Sequence, residues 1–311
     1  MQRVLTSAAL VFLLVATAAA FAITERLKLT KSAVYGTIVG PKLGFSPKCG
    51  CSRGHANVKF ALRHADTITV SVVDGRHHEV TTVLDGVASR RGEVRLRWDG
   101  KTDSGVLAPD GTYRIKIHLT RQHQTIVLPN AIRLDTQAPK VVDVVANREE
   151  FSPDGDKQAD FVGFDYSLSK QARLALFLGG RRILLTNQHR QRGKTIWRGT
   201  VGDRLLRPGS YTLEVGALDL AGNSTPIVDR QRIHVRLRYI DLAARRIVAR
   251  AGKQFEIGVS TDAVHYHWTL GKREGRNGGG TLRLRAPAKR GTYTLTVSER
   301  GHSDRARVVV K

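Results

Sequence analysis

Four oxygen-bearing side chains alternate along Asp154-Gly155-Asp156-Lys157-Gln158-Ala159-Asp160. Carboxylates and an amide at the first, third, fifth and seventh places of one tight loop are what a hard cation such as Ca²⁺ takes from a single segment. Asp154, Asp156, Gln158 and Asp160 are therefore candidate calcium ligands. The loop is not an EF-hand, because Ala159 stands where the sharp turn needs glycine. The competing reading is a solvated acidic turn in a basic protein. A second chemistry lies in Cys49-Gly50-Cys51. Cys49 and Cys51 can close a small disulfide ring if the chain turns tightly, and Gly50 permits that turn. A bridge between two molecules, metal capture with His55, and free thiols are the other readings. His265-Tyr266-His267 sets two imidazoles on one strand face, a spacing that can hold Zn²⁺ or Cu²⁺, but no third ligand is near in sequence. His77 and His78 would point to opposite faces. Both pairs read as structural or solvated histidines. The chain has no Gly-x-Ser-x-Gly elbow, phosphate-binding loop, zinc-protease helix or paired-carboxylate arrangement, so no enzymatic activity is expected.

The elements that must position these residues are strands, and they repeat. Phe45-Ser46-Pro47 and Phe151-Ser152-Pro153 open two stretches that run in register without a gap. Phe60 and Leu62 fall on Tyr166 and Leu168, and Val70 and Val72 on Leu176 and Leu178, with the period of two expected of half-buried strands. Further on, each unit carries Gly-Thr/Ser-Tyr: Gly111-Thr112-Tyr113, Gly209-Ser210-Tyr211, and Gly291-Thr292-Tyr293 in a third unit that lacks Phe-Ser-Pro. Alternating apolar residues follow each tyrosine, as in Ile115 and Ile117, which puts the tyrosine on the buried face. Trp98 and Trp197 precede the first two tyrosines, each on a strand that reads as the partner of the tyrosine strand. These aromatics read as sandwich core. Turn signals such as Asp74-Gly75, Asp99-Gly100 and Gly179-Gly180 come at short intervals, and helical signals are nearly absent after residue 35. The expected fold is all-β: tandem Ig-like β-sandwiches over 45–137, 138–237 and 238–311. The register sets Cys49 and Cys51 on Gly155 and Lys157, so one loop position would be pinned by a disulfide in the first unit and by a cation in the second.

The N-terminus speaks to compartment. An uncharged run from Val4 to Thr24 is long enough to span a bilayer as an apolar helix. Its basic start, its apolar centre and the small-residue end Ala20-Phe21-Ala22 equally fit a signal peptide cut after Ala22. Arg26, Lys28 and Lys31 blur the charge bias that would orient an anchor. Residues 1–24 are thus a signal peptide or a membrane anchor, and 25–44 a linker. Either way the remainder is expected outside the cytoplasm, secreted or anchored, where oxidised thiols are the default. The net charge is +24, from 51 Lys and Arg against 27 Asp and Glu. It is spread over every unit, for example at Arg245-Arg246 and Lys289-Arg290. A chain so basic is held near anionic envelope polymers or lipid head groups. Arg95-Leu96-Arg97 and Leu282-Arg283-Leu284-Arg285 alternate as an ordinary solvated sheet face does. Aromatics make up 6% of the chain and no recognition motif is present, which argues against nucleic acid as a partner.

One stretch carries a family resemblance. Trp98-Asp99-Gly100, a polar hairpin through Gly105, then Pro109-Asp110-Gly111-Thr112-Tyr113 resembles the end of the Ig-like domain of flagellar hook-capping proteins. Phe-Ser-Pro with its acidic loop resembles the opening of the same domain type, which occurs in secreted and gliding-motility-associated bacterial proteins. The resemblance is closest over 45–120. It weakens over 139–235, where Trp197-Arg198-Gly199 replaces Trp-Asp-Gly, although Asp219-Leu220-Ala221-Gly222-Asn223 resembles a closing hairpin of bacterial Ig-like modules. The third unit is Ig-like by pattern only. A flagellar role does not follow, since an export signal stands where the hook-capping proteins have an assembly region. The resemblance implies a module for adhesion, spacing or assembly outside the cell. The expectation is a non-enzymatic extracytoplasmic scaffold or adhesion protein of the bacterial envelope. Its partner would be an envelope protein or an anionic cell-wall polymer, with membrane contact through the N-terminal segment if that is uncleaved. The alternative is a binding module for anionic cell-wall polymer or carbohydrate. No cofactor beyond the candidate calcium is expected.

Overall fold

The computed structural model describes residues 11–22 and 31–311. Residues 11–22 are helical, with the side chains of Phe12, Leu13 and Leu14 exposed. The apolar run from Val4 to Thr24 extends beyond the described residues at both ends. Among the described residues no helix is long and apolar enough to cross a membrane. From Val34 onward the chain is built of strands, in two compact units, Met1–Thr136 and Gln137–Lys311.

The first unit is a two-sheet sandwich. One sheet has the order β1-β2-β5, from β1 (Val34–Gly40), β2 (Ala56–Leu62) and β5 (Gly92–Trp98). The other has the order β4-β3-β6-β7, from β3 (Asp66–Val73), β4 (Glu79–Ser89), β6 (Gly111–Leu119) and β7 (Gln124–Val127), with β8 (Ile132–Leu134) also on β6. Alternation decides what faces inward. Val58, Phe60 and Leu62 of one sheet and Ile115, Ile117 and Leu119 of the other are buried in a common core. The expected linker 25–44 is corrected here, because residues 34–40 form an edge strand paired with β2. Val34 and Val39 are buried, but a register shift between Tyr35 and Ile38 breaks the period of two that would have revealed the strand.

The second unit holds two sandwiches. The first contains β9 (Val141–Ala146), β10 (Glu150–Phe151), β11 (Val162–Leu178), β12 (Arg181–Leu185), β13 (Arg190–Trp197), the short hairpin β14 (Thr200–Val201) and β15 (Arg204–Leu205), β16 (Gly209–Asp219) and β17 (Gln231–Leu237). β11 serves both sheets: its first half pairs with β9 and β13, its second with β12 and β16. In the first unit the matching stretch is broken into β2 and β3. The last sandwich has sheets β18-β20-β23 and β19-β25-β24-β21-β22. Its strands are β18 (Ile240–Leu242), β19 (Arg246–Ala249), β20 (Gln254–Thr261), β21 (Tyr266–Leu270), β22 (Arg273–Asn277), β23 (Gly280–Arg285), β24 (Gly291–Glu299) and β25 (His302–Val310). The two sandwiches have separate cores, and between β17 and β18 lie just Arg238 and Tyr239. Tyr239 belongs to the core of one sandwich and stacks on His302 of the other, ring centroids 3.4 Å apart.

The tryptophans also need correction. Trp98 ends β5, which is bonded to β2 and not to the tyrosine strand β6; its ring meets Tyr113 across the core at 4.9 Å. Trp197 likewise ends β13, bonded to β11 rather than to β16. Period-two patterning is the same whether a strand lies beside its neighbour or opposite it, so the pattern does not distinguish the two.

Candidate functional site

The repeated motif residues pack together. Phe45 is fully buried, edge-on to Trp98 at 5.5 Å, and Phe151 lies 5.6 Å from Trp197. The glycine two residues after each tryptophan sits beneath that phenylalanine. A Cβ on Gly100 would come within 3.4 Å of Phe45, and one on Gly199 within 3.1 Å of Phe151. Each indole donates to a carbonyl three residues on, Trp98 to Lys101 at 2.8 Å and Trp197 to Thr200 at 2.9 Å. Each tyrosine hydroxyl donates to a carbonyl four residues back: Tyr113 to Pro109, Tyr211 to Arg207 and Tyr293 to Lys289. These bonds satisfy the polar end of an otherwise apolar ring.

The loops after Phe-Ser-Pro close in the same way. The Ser46 N–H donates to Arg53 O at 3.0 Å, and the Ser152 N–H to Ala159 O at 2.9 Å. Inside the first loop Cys49 and Cys51 are joined by a disulfide, with Cα atoms 5.2 Å apart. Inside the second, Asp154, Asp156 and Asp160 each bring a carboxylate oxygen within 4.8 Å of the other two. Lys157 and Ala159 adopt left-handed backbone, φ 73° and 45°, which curls the loop around those oxygens. Backbone N–H groups hold the carboxylates: Gly155 and Lys157 donate to the two oxygens of Asp160 at 2.7 and 2.9 Å, Asp156 to Asp154 Oδ1 at 3.1 Å. The Gln158 side chain is exposed, and the Gln158 backbone N–H donates to Asp156 Oδ1 at 2.6 Å.

The tertiary structure adds two acids that local spacing does not reveal. Glu299, at the end of β24, is 8% exposed and lines a groove with Asp156 and Gln158. Its carboxyl reaches that of Asp154, but Glu299 Oε2 and Asp154 Oδ2 are both buried without a hydrogen-bond donor. Burial, the Asp154 charge and the contact with Asp154 push the Glu299 carboxyl up to about 7, against the opposing charge of Arg300. Asp262 faces the other side of the loop across a cavity of about 40 Å³ lined by Ser152, Ala159 and Tyr239. Both its carboxylate oxygens are buried without a partner. Burial first, then the charges of Asp154 and Asp156, raise its pKa above the ordinary carboxylate range. One signal for Glu299 was present in sequence: Leu295, Val297 and Glu299 occupy successive inward positions of one strand. Asp262 lies in a loop and carries no such mark.

With the packing of Phe45, Trp98, Gly100 and Tyr113 established, comparison with known families has a structural counterpart. Residues 48–123 match the FlgD Ig-like domain. The FlgD-like module thus lies within the first unit, over the stretch that carries the strongest motif. No curated protein matches the chain by sequence. Among solved structures, the titin fragment I67–I69, an E-to-A variant, is 14% identical, with 83% of this chain and 92% of that one covered and a TM-score of 0.30. Escherichia coli alpha-2-macroglobulin is 12% identical, with 88% and 22% covered and a TM-score of 0.26. SGBP-B of Bacteroides ovatus, solved with a mixed-linkage heptasaccharide, is 17% identical, with 82% and 63% covered and a TM-score of 0.22.

The outer face of the β1-β2-β5 sheet of the first unit bears a shallow groove of about 710 Å³, lined by Ile38, Asn57, Lys59, Arg95 and Arg97 among others. Lys59 and Arg95 both pair with Glu93, while Arg97 Nε donates to the neutral Asn57 Oδ1 at 3.3 Å. Ile38 is 57% exposed on this face. In the last sandwich His265 and His267 are exposed on the rim of the groove that holds Glu299. His78 Nδ1 lies 3.4 Å from Asp74 Oδ2 at an exposed turn.

Proposed function

We infer that this chain is a non-enzymatic, extracytoplasmic scaffold or adhesion protein of the bacterial envelope, assembled from Ig-like modules. The observation that carries this reading is where the recurring residues go. Phenylalanine, tryptophan and tyrosine of each motif pack into cores or cap turns, so what recurs along the chain is a way of building a packed sandwich module rather than a reactive site. The charge supports an envelope setting, because a surface at +24 is retained by anionic polymers and head groups. The apolar N-terminal run supports export, as a signal peptide or an anchor. A partner protein recovered with the chain from envelope extracts in high salt supports the scaffold, since a specific interface survives screening that removes diffuse charge attraction.

The groove on β1-β2-β5 favours a second reading, a module that binds anionic cell-wall polymer or carbohydrate. Arg97 there faces a neutral partner and Ile38 offers an apolar platform. Retention on a peptidoglycan or anionic-glycan column, abolished by R97A together with moderate salt, identifies that activity. Retention unchanged by R97A assigns it to charge alone.

A further inference from the structure

The joint between the two sandwiches of the second unit concentrates acid in a chain where bases outnumber acids 51 to 27. One side supplies Asp154, Asp156 and Asp160, three carboxylates within 4.8 Å of one another. That loop alone would be an ordinary acidic turn. The independent observation comes from the other side. Glu299, 8% exposed, arrives on β24 with its Oε2 buried and unpartnered and its carboxyl against that of Asp154, whose Oδ2 is likewise buried and unpartnered. Two acceptors facing each other without a donor are a net repulsion, and burial amplifies it. Arg300 answers only the other oxygen, Glu299 Oε1, at 3.3 Å. A proton shared between Asp154 and Glu299 would satisfy one contact, but it would leave both oxygens of Asp262 without a donor.

We propose that a divalent cation of the calcium type binds at this joint, held by Asp154, Asp156 and Asp160 of one sandwich and by Glu299 of the next, with Asp262 adding charge from the adjoining cavity. The donors are all hard oxygens, and the number and flexibility of carboxylates suit Ca²⁺ better than the strict octahedron of Mg²⁺. Gln158 lines the same groove, so its amide is a further oxygen within reach of a small loop movement. The mechanical consequence follows from the connection. Only Arg238 and Tyr239 separate the sandwiches, and a cation shared across them adds a further link to the Tyr239–His302 stack and the Arg236–Asp241 ion pair at the same joint. The proposal does not rest on the scaffold reading, because any protein with this joint would bind the ion.

The test uses the full chain freed of metal with EGTA, titrated with CaCl₂ in a calorimeter and melted with and without the ion. The expected result is heat of binding at roughly 10⁻⁴–10⁻³ M, as for extracellular modules. A rise in the melting temperature of the second unit should accompany it. Glu299→Gln should weaken binding at least about tenfold while its metal-free melting stays equal or rises, since a repulsion has been removed. Asp99→Asn, in the first unit, should change nothing. If Glu299→Gln does not fold, Asp156→Asn, at a half-buried loop position, takes its place with the same expectation. Hydrogen exchange supplies a second readout: calcium should slow exchange in the 152–160 loop and also at the end of β24. Absence of heat and of any melting shift overturns the proposal. So does wild-type affinity in Glu299→Gln, or protection confined to the loop, either of which makes the loop a site by itself.

Discussion

Gly100 illustrates how far a single residue can be read. Its φ of +80° is in the left-handed region, and a Cβ there would lie 2.9 Å from Pro47 Cγ and 3.2 Å from Leu134 Cδ1. Gly105 has φ +78° but open space around it, so the two separate backbone strain from contact. Gly105→Ala should cost about 1 kcal/mol and Gly100→Ala roughly 1–3 kcal/mol more, measured by denaturant unfolding; equal losses would show that the packing under Phe45 is slack. Trp98→Ala should cost about 3–5 kcal/mol, the usual loss for a large buried aromatic. Asp66 offers a pH test. Burial opposes its ionisation, but hydrogen bonds from Arg121 N–H, Gln122 Nε2 and Thr67 N–H outweigh that and hold its carboxyl below the ordinary value of 3.8. A folded pKa below the unfolded one means that the contribution is fully present above the ordinary value and is lost as pH falls through the folded one. The midpoint for the first unit should therefore drop as pH is lowered below about 4, with a shallower fall in Asp66→Asn.

At the scale of elements, the loop after Phe-Ser-Pro is one backbone device with two chemistries. The equivalent closures Ser46 to Arg53 and Ser152 to Ala159 show that strand geometry sets the loop ends, leaving its tip free to vary. The tip in the first unit is a three-residue disulfide ring, whose closure restrains the unfolded chain by only on the order of 1–2 kcal/mol. Reduction should lower the melting temperature of the first unit by a few degrees without unfolding it; loss of fold on reduction would mean the ring carries more than chain entropy. How much of this was legible follows from separation along the chain. The aspartates of the second loop are within a few residues of each other, and alternation alone picks them out. Glu299 and Asp262 come from strands and turns formed over a hundred residues later, and only the packing of one sandwich on the other brings them near. β1 escaped notice for a local reason, a bulge that interrupts the pattern.

For the whole molecule, the separate compact units predict two calorimetric transitions, one for Met1–Thr136 and one for Gln137–Lys311. Short connection through Arg238 and Tyr239, the Tyr239–His302 stack and the 2.8 Å ion pair of Arg236 with Asp241 couple the two later sandwiches. They should melt together. Separate transitions would show the joint to be weak, and isolating the last sandwich would then leave its stability unchanged.

The sequence by itself determined the strand periodicity, the repeat and the aromatic signature of an Ig-like sandwich, because each is set by residues close along the chain and by the two-residue period of a strand. It also marked Cys49 and Cys51 and the three loop aspartates. Which strands lie beside one another and which lie opposite was decided only by the tertiary structure, as the tryptophan strands show. So was the meeting of the loop with Glu299 and Asp262. Local patterning specifies which side of a strand is buried, whereas what it is buried against depends on contacts between segments far apart in the chain.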